Sequence, residues 1–180
     1  MRIVAGEWRG RKLMAPQGDA TRPTADRTRE TLFSMLASRL GAFEDLRVGD
    51  FFAGSGALGL EALSRGAAHC LFVEQDAGAI RAIRTNIANL RAQSRCDVRA
   101  TSALAVGPAN APLDLVMMDP PYDTGAGAVA LDKLARLGWI APATWVSIET
   151  ARGEGITVKG FTADATRDVG RARLHLLRKE

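Results

Sequence analysis

The stretch Val48-Gly49-Asp50-Phe51-Phe52-Ala53-Gly54-Ser55-Gly56-Ala57-Leu58-Gly59 decides how the rest of the chain is read. Val48 to Phe52 reads as a strand that ends in a glycine loop, and Ala57 to Arg65 as the helix that leaves it. The spacing Gly54-x-Gly56-x-x-Gly59 between a strand and a helix lets backbone N–H groups approach a ligand closely. The helix N-terminus favours electron-rich groups. Glu74, twenty residues past Gly54, ends the next apolar run, Cys70-Leu71-Phe72-Val73. A carboxylate there can accept both hydrogen bonds of a ribose diol. The alternative is a tight turn whose glycines serve packing alone, but the full context favours a nucleoside-containing cofactor. No Gly-Lys-Ser/Thr follows, which argues against a phosphate loop. Ala53 stands where a nucleophile elbow needs glycine.

Working outward, the same alternation continues. Asp76 to Arg91 reads as a helix with Ile80, Ile83, Ile87 and Leu90 on one face and Arg81, Arg84 and Arg91 largely on the other. Asp97-Val98-Arg99 is a short strand, and Leu113 to Met118 a buried strand ending at Asp119. Leu131 to Leu137 belongs to a further helix and Trp145 to Ile148 to a further strand. Ala172 to Arg178, after a turn at Gly170, is the second arm of a terminal hairpin. Strand–helix alternation predicts an α/β fold with a mostly parallel sheet and helices on both faces. Upstream, Asp26 starts a helix to about Leu40, with Leu32, Leu36 and Leu40 in one apolar stripe. Residues 1–25 differ in texture: Arg2 to Gly6 and Arg11 to Met14 read as two short strands around a polar turn, followed by a loop from Ala15 to Thr24. This divides the chain into an N-terminal β-hairpin extension and loop, 1–25, and a main domain, 26–180.

The chain has 180 residues, enough to bury a core without disulfides or metal. No apolar run reaches the ~18 residues of a membrane helix. The first residues lack the apolar segment of a secretory signal. Cys70 and Cys96 have no C-x-x-C spacing, which argues against a zinc ribbon or a disulfide framework. A cytoplasmic protein without metal or membrane partner is expected, and a monomer by default. Lys and Arg outnumber Asp and Glu by 24 to 20, and most of the excess is arginine, whose planar fork suits phosphate. Charge alone leaves a polyanion partner and an ordinary solvated surface equally open.

The other chemical signal is Asp119-Pro120-Pro121-Tyr122. The prolines fix the backbone and leave carbonyls to accept hydrogen bonds. Asp119 adds a carboxylate and Tyr122 an aromatic face. Together they suit an amino group on a planar base: two N–H donors and a ring to stack. Alone, the turn would read as structural. At the end of the fourth strand of a nucleoside-binding sheet, the binding reading is favoured.

Taken together, the glycine loop, Glu74 and Asp119 to Tyr122 resemble class I S-adenosylmethionine-dependent methyltransferases that act on amino groups. The N-terminal motifs Arg2-Ile3-Val4-Ala5-Gly6-x-x-Arg9-Gly10-Arg11-x-Leu13 and Arg22-Pro23-Thr24-x-Asp26-Arg27-x-Arg29-Glu30-Thr31-Leu32-Phe33 narrow this. With Phe52 to Ala67, they are similar to the bacterial RsmD-type family across nearly the whole chain. The resemblance implies a Rossmann-like seven-stranded sheet with a C-terminal antiparallel hairpin. It also implies methylation of the exocyclic N2 of a guanine in 16S ribosomal RNA, guanine 966 in that family, in a small-subunit particle or assembly intermediate.

Carried over by position, Phe52, Ala53, Gly54 and Gly56 would lie beside the methionine part of the cofactor. Asp50 would hold its amino end and Glu74 its ribose. Asp119 to Tyr122 would hold the guanine, with Asp119 also bordering the cofactor. After the third strand related enzymes often place an acidic or amide residue against the adenine. Here the run is Arg99-Ala100-Thr101-Ser102-Ala103, and Ser102 takes that place as a weaker acceptor.

The RNA surface is expected at Arg9, Arg11 and Lys12 on the N-terminal turn, with Arg22 and Arg27 in the same basic segment; Arg22 could instead line the active-site mouth. Trp8 is read as exposed, and pairing of Arg27 or Arg29 with Asp26 or Glu30 stays open. Cys70, Cys96, His69 and His175 are read as structural. Three other readings fit the motifs less well. A nicotinamide dehydrogenase leaves Asp119 to Tyr122 unexplained. An adenine-N6 DNA methyltransferase would need a target-recognition region for which no segment is long enough. A non-catalytic RNA-binding module would not need the intact glycine loop.

Overall fold

The structure, a computed structural model, describes residues 1–16 and 23–180. Its elements follow in the order α1 (Pro23–Leu40), β1 (Arg47–Phe51), α2 (Ala57–Ser64), β2 (His69–Glu74), α3 (Ala77–Asn89), β3 (Cys96–Ala100), β4 (Leu115–Met118), α4 (Ala126–Arg136), β5 (Trp145–Ala151), β6 (Phe161–Val169) and β7 (Ala172–Lys179). The seven strands form one sheet in the order β3-β2-β1-β4-β5-β7-β6. The first five in sequence run parallel. β7 lies antiparallel between β5 and β6.

Strand periodicity divides the core into two halves. Val48, Cys70, Phe72, Leu115 and Met117 face α1, α2 and α3. Phe51, Leu71, Val73, Val116, Met118 and Val146 face α4 and the loop from Ala103 to Leu113. Helices therefore cover both faces. Helix α2 sits close on β2 because Gly59 has no side chain: a Cβ there would come within 2.4 Å of Phe72 Cε1 and 2.6 Å of Cys70 Sγ. Helix α3 is capped by Asp76, whose carboxylate accepts from Ala79 N–H at 2.8 Å.

Helix α4 spans Ala126–Arg136 and carries the apolar stripe from Leu131. Two local expectations are corrected. Helix α1 opens at Pro23 rather than Asp26, consistent with the tolerance of proline in a first helical turn. The N-terminal hairpin is reduced to a single antiparallel bridge between Arg2 and Lys12.

The N-terminal segment also belongs to the main core. Ile3, Trp8 and Leu13 are buried with α1, α2 and α3, so Trp8 is not exposed as expected. Its backbone N–H donates to Ser64 Oγ at 3.0 Å, and the Arg95 guanidinium lies 5.2 Å from its ring centroid. Gly6 adopts φ 91° and presses on the end of α2, where any Cβ would strike the Ser64 carbonyl. Glu61 ties the segment down from beneath: its carboxylate accepts from Val4 and Ala5 N–H and from Arg29 and Arg65 Nε.

Candidate active site

Strand order reverses between β1 and β4, the crevice where open α/β sheets bind ligands beyond the C-terminal strand ends. A cavity of about 1560 Å³ opens there. It runs from Glu74 and Gln75 after β2, past the loop Phe52 to Ser55, to Asp119 through Tyr122 after β4. It ends at Glu149 to Arg152 and at the β6–β7 turn, Gly170 to Ala172. Met1, Ala15, Pro16 and the N-terminal half of α1 form a further wall.

Backbone conformation builds the glycine loop. Phe52 is held at φ 60°, Gly54 at 57° and Gly56 at 81°. For a phenylalanine this left-handed region costs about 1–2 kcal/mol, offset by the packing around it. Phe52, Ala53 and Gly54 line the cavity. Gly56 instead packs on Phe72 and Ile83. Glu74 Oε1 accepts from Gly54 N–H at 2.8 Å, and Oε2 from Gln75 and Asp76 N–H at 3.0 and 2.9 Å. Oε2 is thereby filled, and Oε1 keeps a further lone pair for a ligand hydroxyl. Asn86, buried in α3, donates to the Ser55 and Met14 carbonyls and accepts from Met14 N–H. It thereby joins the glycine loop to the N-terminal wall.

Asp50 is buried behind the loop. Oδ2 accepts from Gly59 N–H at 2.9 Å, while Oδ1 is buried with no partner. Burial above all, with the Glu74 charge adding to it, pushes its carboxyl up to about 8; the Gly59 hydrogen bond opposes this. An ammonium group, which the methionine end of S-adenosylmethionine carries, would give Oδ1 a partner and draw this carboxyl into its ionised form.

The raised pKa has a stability consequence. Between pH 4 and 8 the folded protein holds a proton on Asp50 that the unfolded chain has released, so stability falls as pH rises across this window and levels off above it. The expected slope from this group is about 1.4 kcal/mol per pH unit at mid-window. Urea unfolding of wild type and Asp50→Asn at pH 5, 6, 7 and 8 should show the variant lacking that part of the decline. Parallel curves for the two proteins would show that Asp50 does not titrate in this way.

At the other end of the loop pair, Met118 on β4 stands in register with Ile148 on β5. The next residues, Asp119 and Glu149, therefore emerge side by side. Asp119 opens onto the cavity from between its walls. That enclosure, then the charges of Glu149 and Asp50, hold its carboxyl well above the usual range. Burial also raises Glu149, opposed by hydrogen bonds with Tyr122 and Asp119. Two such carboxyls share a proton more readily than they both ionise. The Tyr122 hydroxyl donates to Glu149 Oε2 at 2.6 Å, which fixes a ring that is 41% exposed. Thr124 Oγ1 donates to the Pro121 carbonyl and accepts from Ala126 N–H, fastening the turn to α4. Gly127 lets α4 approach Pro120, whose Cγ would lie 3.1 Å from a Cβ there.

The structure thus brings Phe52, Ala53, Gly54, Glu74 and Asp119 to Tyr122 together around one cavity. Asp50 and Gly56 support the loop from behind. Ser102 turns its hydroxyl to its own loop, accepting from Leu104 N–H at 3.1 Å, and Ala103 takes the cavity wall. Arg9, Lys12 and Arg27 are exposed. Arg11 donates to the Asn89 carbonyl at the end of α3. Arg29 is buried and paired with Asp26 and Glu61, which settles its alternative. Arg22 lies outside the described residues. Glu149 was not singled out from sequence; its signal is an acid ending the apolar run Val146-Ser147-Ile148.

Sheet order, glycine loop and cavity define the class I methyltransferase fold. The chain matches the family described as conserved hypothetical protein 95 over residues 1–178. It is 38% identical over 156 residues to ribosomal RNA small subunit methyltransferase D of Escherichia coli K12, covering 87% of this chain and 77% of that protein. It is also 38% identical over 167 residues to the protein of the same name from Haemophilus influenzae, covering 90% and 85%. The structure of the putative methyltransferase yhhF of Escherichia coli superposes with a TM-score of 0.84 at 35% identity, covering 100% of this chain and 98% of that one. At 13% identity, magnesium protoporphyrin IX methyltransferase from Synechocystis, solved with bound SAM, shares the fold with a TM-score of 0.67 over 91% and 87% of the two chains. The chain belongs to the RsmD-type methyltransferase family.

Proposed function

We propose that this protein methylates the exocyclic N2 amino group of a guanine in 16S ribosomal RNA, with S-adenosylmethionine as methyl donor. The proposed target is guanine 966, presented in a small-subunit particle or assembly intermediate to a monomeric enzyme. The observation that carries the reading is the turn Asp119 to Tyr122. It opens onto the same cavity as the glycine loop and Glu74. The names of the relatives support the ribosomal substrate.

S-Adenosylmethionine supplies a methyl group on a sulfonium centre, already activated towards a nucleophile. Glu74 would take the ribose hydroxyls, the Phe52 to Gly54 loop the methionine portion, and Asp50 the ammonium end. The guanine amino lone pair is delocalised into its ring and attacks poorly. Asp119, accepting from that amino group together with the Pro120 carbonyl, would orient it and raise its electron density. Tyr122, held by Glu149, would stack on the base once it leaves its own stack. Catalysis is then alignment and local electrostatics, and Asp119 ends near the proton that the amino group sheds.

The test is transfer from radiolabelled S-adenosylmethionine to 16S RNA and to 30S subunits from cells lacking this protein, followed by mapping of the labelled base. Label on a guanine N2 is expected; label on another base or on protein overturns the reading.

Two further outcomes follow. Asp119 accepts the amino N–H more strongly when ionised, and its pKa is raised, so transfer should rise with pH as the carboxyl loses its proton. Glu149→Gln removes the neighbouring charge and should move that rise to lower pH in single-turnover profiles. An unshifted profile would separate Glu149 from Asp119. We also assign residues 1–25 an RNA-contacting role. Reversing Arg9, Arg11 and Lys12 to Glu should weaken RNA binding and flatten its dependence on salt. An unchanged salt slope would place the RNA surface elsewhere.

A further inference from the structure

The cavity continues beyond the proposed base site. Past Tyr122 and Glu149 it reaches Arg152, in the turn after β5, and Arg171, in the turn between β6 and β7. Arg152 follows β5, one strand spacing or about 5 Å from β4, and Arg171 precedes β7, two spacings or about 10 Å from it. The geometry points to Arg152 and Arg171 as a phosphate-binding rim that holds the RNA backbone next to the target nucleotide, opposite the cofactor end of the cavity. This rests on the RNA reading above.

The two turns are built as one piece. Arg152 N–H donates to the Arg171 carbonyl at 2.8 Å, and Arg152 Nη1 donates to the Gly170 carbonyl at 3.1 Å. Beneath them Thr150 Oγ1 bonds the Glu154 carbonyl and meets His175 Nε2 at 2.8 Å. Nearby acids are largely committed. Asp168 takes both arms of Arg173 at 2.7 and 3.3 Å, leaving Arg152 at a looser 3.6 Å. Glu154 accepts from Ala151 N–H, and Glu149 from Tyr122.

The Arg152 side chain is 61% exposed, and Arg171 is exposed with no ion pair among the described residues. Two arginine forks on a fixed backbone, beside a pocket with a stacking ring, suit a phosphodiester: the forks match phosphate oxygens. The acids within the cavity, Asp119 and Glu149, would repel a phosphate and admit the neutral base. The charge pattern therefore sets the direction in which a nucleotide enters.

The test compares wild type, the double variant Arg152→Glu/Arg171→Glu, and Arg84→Glu. Arg84 is exposed on α3 and does not line the cavity. A fluorescent single-stranded RNA reports affinity across a salt series, and 30S subunits lacking the methyl group report kcat/KM. Wild type and variants should bind S-adenosylmethionine alike and unfold at the same temperature. The double variant should lose RNA affinity, with the salt slope falling by roughly 0.7 for each phosphate contact removed. Its kcat/KM on 30S subunits should fall in step. Wild-type slope and affinity in the double variant, or an equal loss in Arg84→Glu, would overturn the rim. Wild type that neither binds nor methylates RNA would instead overturn the RNA reading itself.

Discussion

Asp119→Ala is expected to slow methyl transfer by about a hundredfold to a thousandfold, the range for removing one pre-positioned group that acts on charge developing in the transition state. Most RNA binding should be spared. Asp119 and Glu149 share a hydrogen bond on an open cavity wall, so any loss of stability is measured separately from the loss of rate. Single-turnover rates on 30S subunits, with thermal unfolding of the same preparations, make the comparison. Asp119→Asn retains a carbonyl acceptor and should lose less. Near-normal transfer by the alanine variant would move the catalytic role off this turn.

Glu61→Ala should act on the fold. Its carboxylate is fully buried and takes four donors from three parts of the chain. Removing it strands the Arg29 guanidinium, whose side chain is 3% exposed, with Asp26 as its remaining ionic partner. Breaking a buried pair from one side costs about 3–5 kcal/mol, a large share of the ~5–15 kcal/mol that holds a domain together. Urea unfolding should show a lower midpoint, and limited proteolysis should cut first within residues 1–16. Glu61→Gln, which keeps acceptors but not charge, should fall between. A loss under about 1 kcal/mol would show that the segment is held by Trp8 and Ile3 instead.

What could be read from sequence was what is local. The glycine loop, Glu74 and Asp119 to Tyr122 each carry their meaning in a few adjacent residues and a strand end, and the alternation of apolar runs gave the strands and helices. Glu149 was hidden because its importance depends on β5 lying beside β4, in register Met118 with Ile148. Trp8 was misread because its cover comes from Arg95, distant in sequence. The pairing of Arg29 with Asp26 was open to a local reading, but its second, fully buried partner Glu61 comes from across the fold. Asp50 lies in the expected strand, yet its hydrogen bond to Gly59 arises because α2 folds back over β1.

The place of β7 bears on how the chain is made. Synthesis runs from the N-terminus, but this last strand sits inside the sheet, bonded to β5 on one side and β6 on the other. Until Ala172 to Lys179 leave the ribosome, β6 has no neighbour and the Arg152 turn no opposing turn to lean on. The cofactor half can assemble early, from parallel strands already in hand. The far wall of the cavity waits for Ala172 to Lys179, so a chain that has not reached them could acquire its cofactor loop before it has a complete place for a substrate.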